Sequence, residues 1–230
     1  MIERIESGIP GFDKVIEGGL ISNSVNLLSG GAGTGKTIFG LQFIIHGARE
    51  HGEKGVYFSF EESERDLVTD LEGFGFSLKG LEDKIKLIYI PLYNIGNFPL
   101  TLKEELETFK PKRVVIDSIS ALAMPMEDDF ERRKQIFKVR EILKNHDCTS
   151  FLISEVAGEG GKDCGEVGKF STFDIEEFVC DSVIVLHYAG IGGEGDRAIR
   201  VVKMRRTNHA RSPLPMTISK QGMKVLKSKF

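Results

Sequence analysis

The sequence predicts an α/β protein: a mostly parallel, twisted sheet flanked by helices, with antiparallel strands at its C-terminal end. Three observations carry that prediction. Short β-rich runs alternate with helical stretches, the order that a parallel sheet with crossover helices requires. Several of these runs are almost continuously apolar, as strands buried on both faces must be. The glycine-rich octapeptide at 30–37 lies between an apolar run and an apolar-faced helical pattern, the strand–loop–helix setting of a phosphate cradle.

In chain order, the strands fall at 25–29, 55–60, 86–90, 113–116, 150–154 and 182–187, and the helices at 36–50, 63–72, 100–108 and 130–144. Ser63 followed by Asp66 reads as a capping box, and Asp128-Asp129 ahead of Arg132-Arg133-Lys134 suits a helix dipole. Residues 157–169 hold five glycines in thirteen positions and read as a long mobile loop. After the glycines at 190–195 the pattern turns antiparallel, with strands at 198–206, 216–219 and 224–226. The chain therefore reads as one domain over 1–230, with a lead-in at 1–23 and a basic β segment at 197–230.

Composition excludes several classes. Of 230 residues, 40% are hydrophobic and 28% charged, an ordinary globular mixture that is neither disordered nor fibrous. No run approaches the ~18 apolar residues a membrane span requires. Met1-Ile2-Glu3-Arg4 lacks the basic-then-apolar order of a signal peptide. Cys148, Cys164 and Cys180 form no short Cys/His spacing, so neither a disulfide framework nor a metal site is expected, and a reducing cytoplasm is. His46, His51, His146 and His187 show no ligand spacing either and read as structural.

Gly30-Gly31-Ala32-Gly33-Thr34-Gly35-Lys36-Thr37 matches G-x-x-x-x-G-K-[ST]. Its glycines let backbone N–H groups turn inward around phosphate oxygens. Lys36 would reach the β- and γ-phosphates, Thr37 would ligate Mg²⁺, and the following helix adds the positive end of its dipole. Asp117 ends the apolar run Arg113-Val114-Val115-Ile116, at the mouth of the sheet, where it can serve the same ion. Glu61-Glu62 follow the strand at 55–60. Two readings stand side by side: a carboxylate that orients or deprotonates the attacking water, or a favourable charge at the start of the next helix.

These motifs join others in a fixed order. Ser7-Gly8-Ile9-Pro10-Gly11-Phe12-Asp13, Gly18-Gly19-Leu20, the 30–37 loop, Tyr57-Phe58-Ser59-Phe60-Glu61-Glu62-Ser63, Val114-Val115-Ile116-Asp117-Ser118 and Val202-Lys203-Met204-Arg205-Arg206-Thr207-Asn208-His209 resemble a KaiC-type ATPase of the RecA superfamily, from about residue 7 to about 219. The resemblance implies a RecA-type core that binds ATP and Mg²⁺ between the subunits of a homo-oligomeric ring, usually a hexamer, with a regulatory or signalling role. It implies Lys36 and Thr37 at the phosphates and ion, Asp117 as the Walker-B acid, Glu61 as the main water-activating residue and Glu62 as its helper. Ser154-Glu155 fall where RecA relatives carry a γ-phosphate sensor. Lys203, Arg205 and His209 would reach ATP held by the neighbouring subunit. Strand alternation puts Lys203 and Arg205 on one face, which supports that role independently.

The circadian members carry two such domains in tandem, and this chain one. The stretch matching their phosphorylated Ser-Thr pair is Glu176-Glu177-Phe178, which has no hydroxyl, so autokinase activity is not expected. Two other function classes compete: a DNA-handling recombinase relative, and an ATP-gated module that binds a protein partner with negligible turnover. The formal charge of −3 conceals an asymmetry that bears on the first. Ten of the 31 Lys and Arg, and none of the 34 Asp and Glu, lie from Arg197 onward, giving +10 on the last 34 residues and −13 on the rest. A basic segment suits a head-to-tail ring seam, or nucleic acid. The mixed charges of 157–169 make no electrostatic groove, so nucleic acid is not favoured, and no membrane association is expected.

Overall fold

The computed structural model describes residues 2–156, 170–190, 192 and 196–226. A two-stranded ribbon of β1 (Arg4–Ile5) and β2 (Leu20–Ile21) precedes the core. There follow β3 (Val25–Gly30), α1 (Lys36–Glu50), β4 (Gly55–Ser59), α2 (Glu64–Gly73), β5 (Ile85–Tyr89), α3 (Phe98–Phe109), β6 (Arg113–Asp117), α4 (Ile119–Ala123), α5 (Asp129–Lys144), β7 (Thr149–Glu155), α6 (Glu176–Val179), β8 (Ser182–Tyr188), β9 (Arg197–Met204), β10 (Leu214–Ser219) and β11 (Gly222–Val225). Nine strands form one sheet in the order β11-β10-β9-β8-β3-β7-β6-β4-β5. The six from β8 to β5 are parallel, and β9, β10 and β11 add antiparallel strands at one edge.

The expected fold class is the one observed, and alternation shows why the central strands are apolar throughout. Val25, Leu27, Val56, Phe58, Val114 and Ile116 face one layer, with Phe98 and Leu102 of α3 and Ile136 and Val139 of α5. Leu28, Tyr57, Val115, Phe151 and Ile153 face the other, under Phe39, Phe43 and Ile44 of α1 and Leu67 of α2. Period-2 alternation between two buried faces leaves no solvent-facing position. On the α1 side, the Phe151 ring meets Phe39 and Phe43 edge-on, each at 5.0 Å. Each such pair adds about 0.5–1.5 kcal/mol beyond burial. The capping box forms as expected: Ser63 Oγ accepts from Asp66 N–H and the Asp66 carboxylate accepts from Ser63 N–H.

Two differences from the sequence reading bear on function. First, β9 ends at Met204, not at 206, and a bulge lies opposite Val183–Ile184, where Val183 pairs with Lys203 but Ile184 with Val201. The extra residue resets alternation, so Val201 and Met204 both face the α1 layer. Arg205 lies in the turn beyond the strand, beside Arg206 at φ 56°. The same-face argument for Lys203 and Arg205 therefore fails. Second, α4 and α6 are too short to show a helical period. The glycine-rich stretch 157–169, with Cys164, lies outside the described residues. Cys148 and Cys180 are buried thiols, and burial pushes Cys148 up to about 12.

One buried cation ties the N-terminal segment to α1. Arg113 is 1% exposed. Its guanidinium pairs with Glu53 at 2.6 Å, donates to the carbonyls of Glu6 (2.7 Å) and Phe43 (3.0 Å), and stacks on the Phe43 ring. Gly47 makes room for it: a Cβ there would lie 2.1 Å from Arg113 Nε. In an open helix, Gly→Ala gains about 1 kcal/mol. Here Gly47→Ala is expected to lose about 2 kcal/mol or more, because overpacking displaces a buried, paired charge. Urea unfolding at neutral pH reads the sign, and a stabilised variant would refute this packing.

Candidate active site

The parallel strands end in line. Register pairs Gly30 with Glu155, Ser59 with Asp117, and Asp117 with Ile153. Gly30, Ser59, Asp117 and Glu155 thus share the carboxyl edge of the sheet, where open α/β sheets bind ligands. The 30–37 loop leaves β3 and enters α1 through Gly35 at φ 99°, a conformation that favours glycine. A Cβ on Gly31 or Gly33 would meet nothing within 4 Å, so the mouth of the loop is open. Lys36 Nζ folds over that mouth and donates to the carbonyls of Gly30 (3.0 Å) and Gly31 (2.9 Å). Thr34 Oγ1 donates to Gly31 O at 2.9 Å, and Ala32 is exposed at the tip.

The acids converge on Lys36. Burial lowers its pKa, and Glu155, Asp117 and Glu61 hold it up. Thr37 Oγ1 donates to Asp117 Oδ2 at 3.2 Å, and the Tyr57 hydroxyl donates to the same oxygen. Burial pushes the Asp117 carboxyl up, against the Tyr57 and Thr37 hydrogen bonds and the Lys36 charge. Tyr57 went unrecognised in the sequence. Its register partner is Val115, two residues before Asp117 on the same face of β6, so strand pairing could have found it.

Glu61 and Glu62 lie in the turn after β4. That turn is pinned by Phe60 N–H to Asp117 O (2.9 Å) and Glu62 N–H to Ser59 Oγ (2.9 Å). The helix that follows is already capped by Ser63 and Asp66. Among the described residues, Glu62 Oε2 is buried without a hydrogen-bond partner. Burial, then Asp117, Asp70, Glu61 and Asp66, push the Glu62 carboxyl up to about 7, and burial with Glu155 and Asp117 raises Glu61. Of the pair at the end of β7, Glu155 is exposed and Ser154 is not. Ser154 Oγ meets Ser120 Oγ (3.1 Å), donates to Glu176 Oε1 (3.2 Å) and accepts from Thr172 N–H (3.3 Å). Glu176, 0% exposed, was missed by sequence reasoning: set among Asp174 and Glu177, it read as one more surface acid.

The family described as "ATPase: KaiC" matches residues 5–230. The chain belongs to the KaiC ATPase family. Curated KaiC relatives include the circadian clock oscillator proteins of Prochlorococcus marinus, 32% identical over 97% of this chain and 46% of that protein, and of a Nostoc species, 33% identical over 97% and 44%. The chain thus spans under half the length of the curated KaiC proteins it matches. A solved KaiC-like protein from the hyperthermophilic archaeon Pyrococcus horikoshii OT3 superposes with a TM-score of 0.84 at 36% identity, covering 99% of this chain and 100% of that one. The fold is that of a RecA-superfamily P-loop ATPase, as the resemblance implied.

The remaining residues of the KaiC motif make their contacts away from the cradle. Lys203 Nζ donates to the carbonyls of Glu177 (2.9 Å) and Cys180 (2.8 Å) at the end of α6. Burial, then the Arg205 charge, lower the Lys203 pKa. Arg205 is exposed and its N–H donates to Asp181 O at 3.0 Å. His209 is half-buried, its Nδ1 donating to Ala210 O at 2.9 Å. A cation the sequence reading passed over does reach the KaiC cradle: Arg197, at the start of β9, donates to Gly33 O at 2.6 Å and stacks on Tyr188. His146 and His187 fit the structural reading, His146 donating to Ile142 O at 2.6 Å. His46 and His51 both meet Glu6, a partner that spacing along the chain does not reveal. Among the described residues, no helix is long and apolar enough to cross a membrane.

Proposed function

We propose that this chain is one ATPase domain over 1–230, which hydrolyses ATP with Mg²⁺ at the subunit interfaces of a homo-oligomeric ring, a hexamer by family expectation, as a cytoplasmic regulatory switch. The observation that carries the reading is the convergence of Glu155, Asp117 and Glu61 on Lys36 at an open glycine cradle. Thr37 and Asp117 supply the hard oxygens that Mg²⁺ prefers, with their oxygens 3.2 Å apart, and would hold the ion. When bound, the ion neutralises charge between the β- and γ-phosphates. The residues' own parts follow from their places. Gly30 to Gly35 present N–H groups to phosphate, and Lys36 exchanges its two loop carbonyls for phosphate oxygens. Glu61 accepts a proton from the attacking water, and the unpartnered Glu62 Oε2 supports it. Glu155 senses the γ-phosphate, backed by Ser154. Arg205, with Lys203 and His209, serves the neighbouring subunit's nucleotide.

Arg197 reaches the cradle itself, donating to Gly33 O, which supports a role for the basic segment at the nucleotide rather than on nucleic acid. Solution mass with and without ATP-Mg²⁺, together with phosphate release, tests the proposal. A monomer under both conditions removes the shared site. Single-strand binding that needs ATP and weakens steeply with salt would favour the DNA class instead.

A pH prediction follows from Glu62. Its carboxyl, raised to about 7, is protonated below that pH, so turnover is expected to fall as pH drops through 7, and Glu62→Gln to remove that limb. The sign for stability is opposite. The folded state binds the proton more tightly than the unfolded chain, so stability is lost as pH rises from about 4.5 to 7. Glu62→Gln is therefore expected to melt higher than wild type at pH 8 but not at pH 4. An unchanged pH–rate profile would remove Glu62 from the reaction.

A further inference from the structure

We infer a second metal site, independent of the nucleotide reading: Glu6, His46 and His51 form a three-ligand site for a borderline divalent transition ion of the Zn²⁺, Co²⁺ or Ni²⁺ class. Each of the three offers one ligand atom, and these atoms lie within 4.8 Å of one another. His46 Nε2 is 2.9 Å and His51 Nε2 3.3 Å from the same Glu6 Oε2, and the two rings are 5.4 Å apart. A tetrahedral ion with ligand bonds of about 2.0–2.2 Å separates neighbouring ligand atoms by about 3.3–3.6 Å. The Glu–His spacings are already close to that edge, and a small side-chain rotation admits the ion. Two imidazoles and a carboxylate select zinc-like ions over Mg²⁺ or Ca²⁺, which prefer oxygen.

The site is built rather than a chance meeting of surface side chains. His46 projects from the last turns of α1, and His51 is its C-cap. Glu6 lies forty residues earlier, yet its backbone is fixed from several directions. Arg113 Nη1 donates to Glu6 O, Ser7 N–H donates to Asp13 Oδ1 at 3.0 Å, and Gln42 Nε2 donates to Gly8 O at 2.8 Å. Gly8, at φ 77°, allows the segment to press against His46: a Cβ there would lie 2.4 Å from His46 Cβ. Side-chain exposure rises from His46 (23%) to His51 (40%) to Glu6 (56%), so the site opens to solvent and leaves a fourth position for water or a further ligand. An ion here clips the N-terminal segment to the far end of the helix whose first turn is the phosphate cradle.

The test uses the full, tag-free, nucleotide-free chain stripped with chelator and titrated with Zn²⁺, and with Co²⁺ for its visible spectrum. One ion per chain is expected, with Co²⁺ bands of tetrahedral strength. Saturating Zn²⁺ should raise Tm by several degrees, on the order of 5–10 °C at a hundredfold excess over Kd. His51→Ala and Glu6→Gln change partly exposed side chains and should keep the fold, checked by circular dichroism. Each is expected to weaken binding roughly tenfold or more and to abolish the Tm rise. Absence of stoichiometric binding in the wild type overturns the site. So does affinity unchanged in both variants, or an ion that Asp117→Asn releases and His51→Ala retains, which would place it at the nucleotide cradle. Because no nucleotide is present, failure here leaves the ATPase reading standing, and failure of that reading leaves this one.

Discussion

Glu61→Gln is expected to cut phosphate release by 10²–10⁴-fold while ATP still binds. The substitution keeps the size of the side chain and removes its ability to take a proton. Its position in the turn after β4, pinned to β6 through Phe60 N–H and Asp117 O, stays as it is. The raised Glu61 pKa brings this carboxylate nearer to working pH than an ordinary glutamate, which is what a general base requires. Lys36→Ala acts differently. It removes the cation whose charge Glu155, Asp117 and Glu61 support, so nucleotide affinity falls along with turnover. Steady-state phosphate release at saturating ATP, with a fluorescent nucleotide as the binding control, separates the two. Equal phosphate release by wild type and Glu61→Gln would strip Glu61 of its role and leave an ATP-binding module.

Arg205→Ala should lose turnover by 10³–10⁵-fold on its own, the range for an arginine supplied to a phosphoryl-transfer site in trans. Mixed with Lys36→Ala, it should recover. An active interface needs an intact cradle on one subunit and an intact Arg205 on the next. In a random equal mixture, roughly a quarter of the interfaces of a head-to-tail ring meet that condition. Mixed assemblies should therefore regain about a quarter of wild-type activity per chain. No recovery, or a fully active Arg205→Ala protein, would remove the shared site. Arg205 rather than Lys203 is the better probe. Arg205 is exposed beyond the end of β9, whereas Lys203 is bound to two carbonyls of its own chain, and its loss would disturb α6 as well.

How legible each part was in the sequence depends on distance along the chain. The cradle, its strand and its helix are contiguous, and local chemistry specifies them: β3, the 30–37 loop and α1 lie where the pattern puts them. Asp117 was legible because a polar residue that ends an apolar run marks a strand terminus. What escaped notice depends on pairings between distant segments. The Tyr57–Asp117 bond needs the register of β4 on β6. The Glu6–His46–His51 cluster needs the N-terminal segment to fold across α1, and spacing rules see no relation between residues 6 and 46. The bulge in β9 shows the opposite failure. The bulge there resets which face Val201 and Met204 share, and the strand ends at Met204, so alternation was carried one residue too far, to Arg205. Ser154 shows a third limit: position at a strand end was right, but which residue of the pair is exposed was not readable.

One contact of the phosphate-loop helix closes late in synthesis. Gln42 of α1 grips β11 twice, its Nε2 donating to Met223 O at 3.1 Å and its Oε1 accepting from Met223 N–H at 2.8 Å. Ile218 and Met223 also crowd Gly35, at the entrance to that helix. The partners are 181 residues apart. At ribosomal rates of about 5–20 residues per second, roughly ten to forty seconds pass between the making of Gln42 and of Met223. The helix that begins at the phosphate loop can pack on β4 and β6 early, but it meets β11 only after that interval. A nascent polypeptide therefore displays the motif well before β11 braces the helix that follows it.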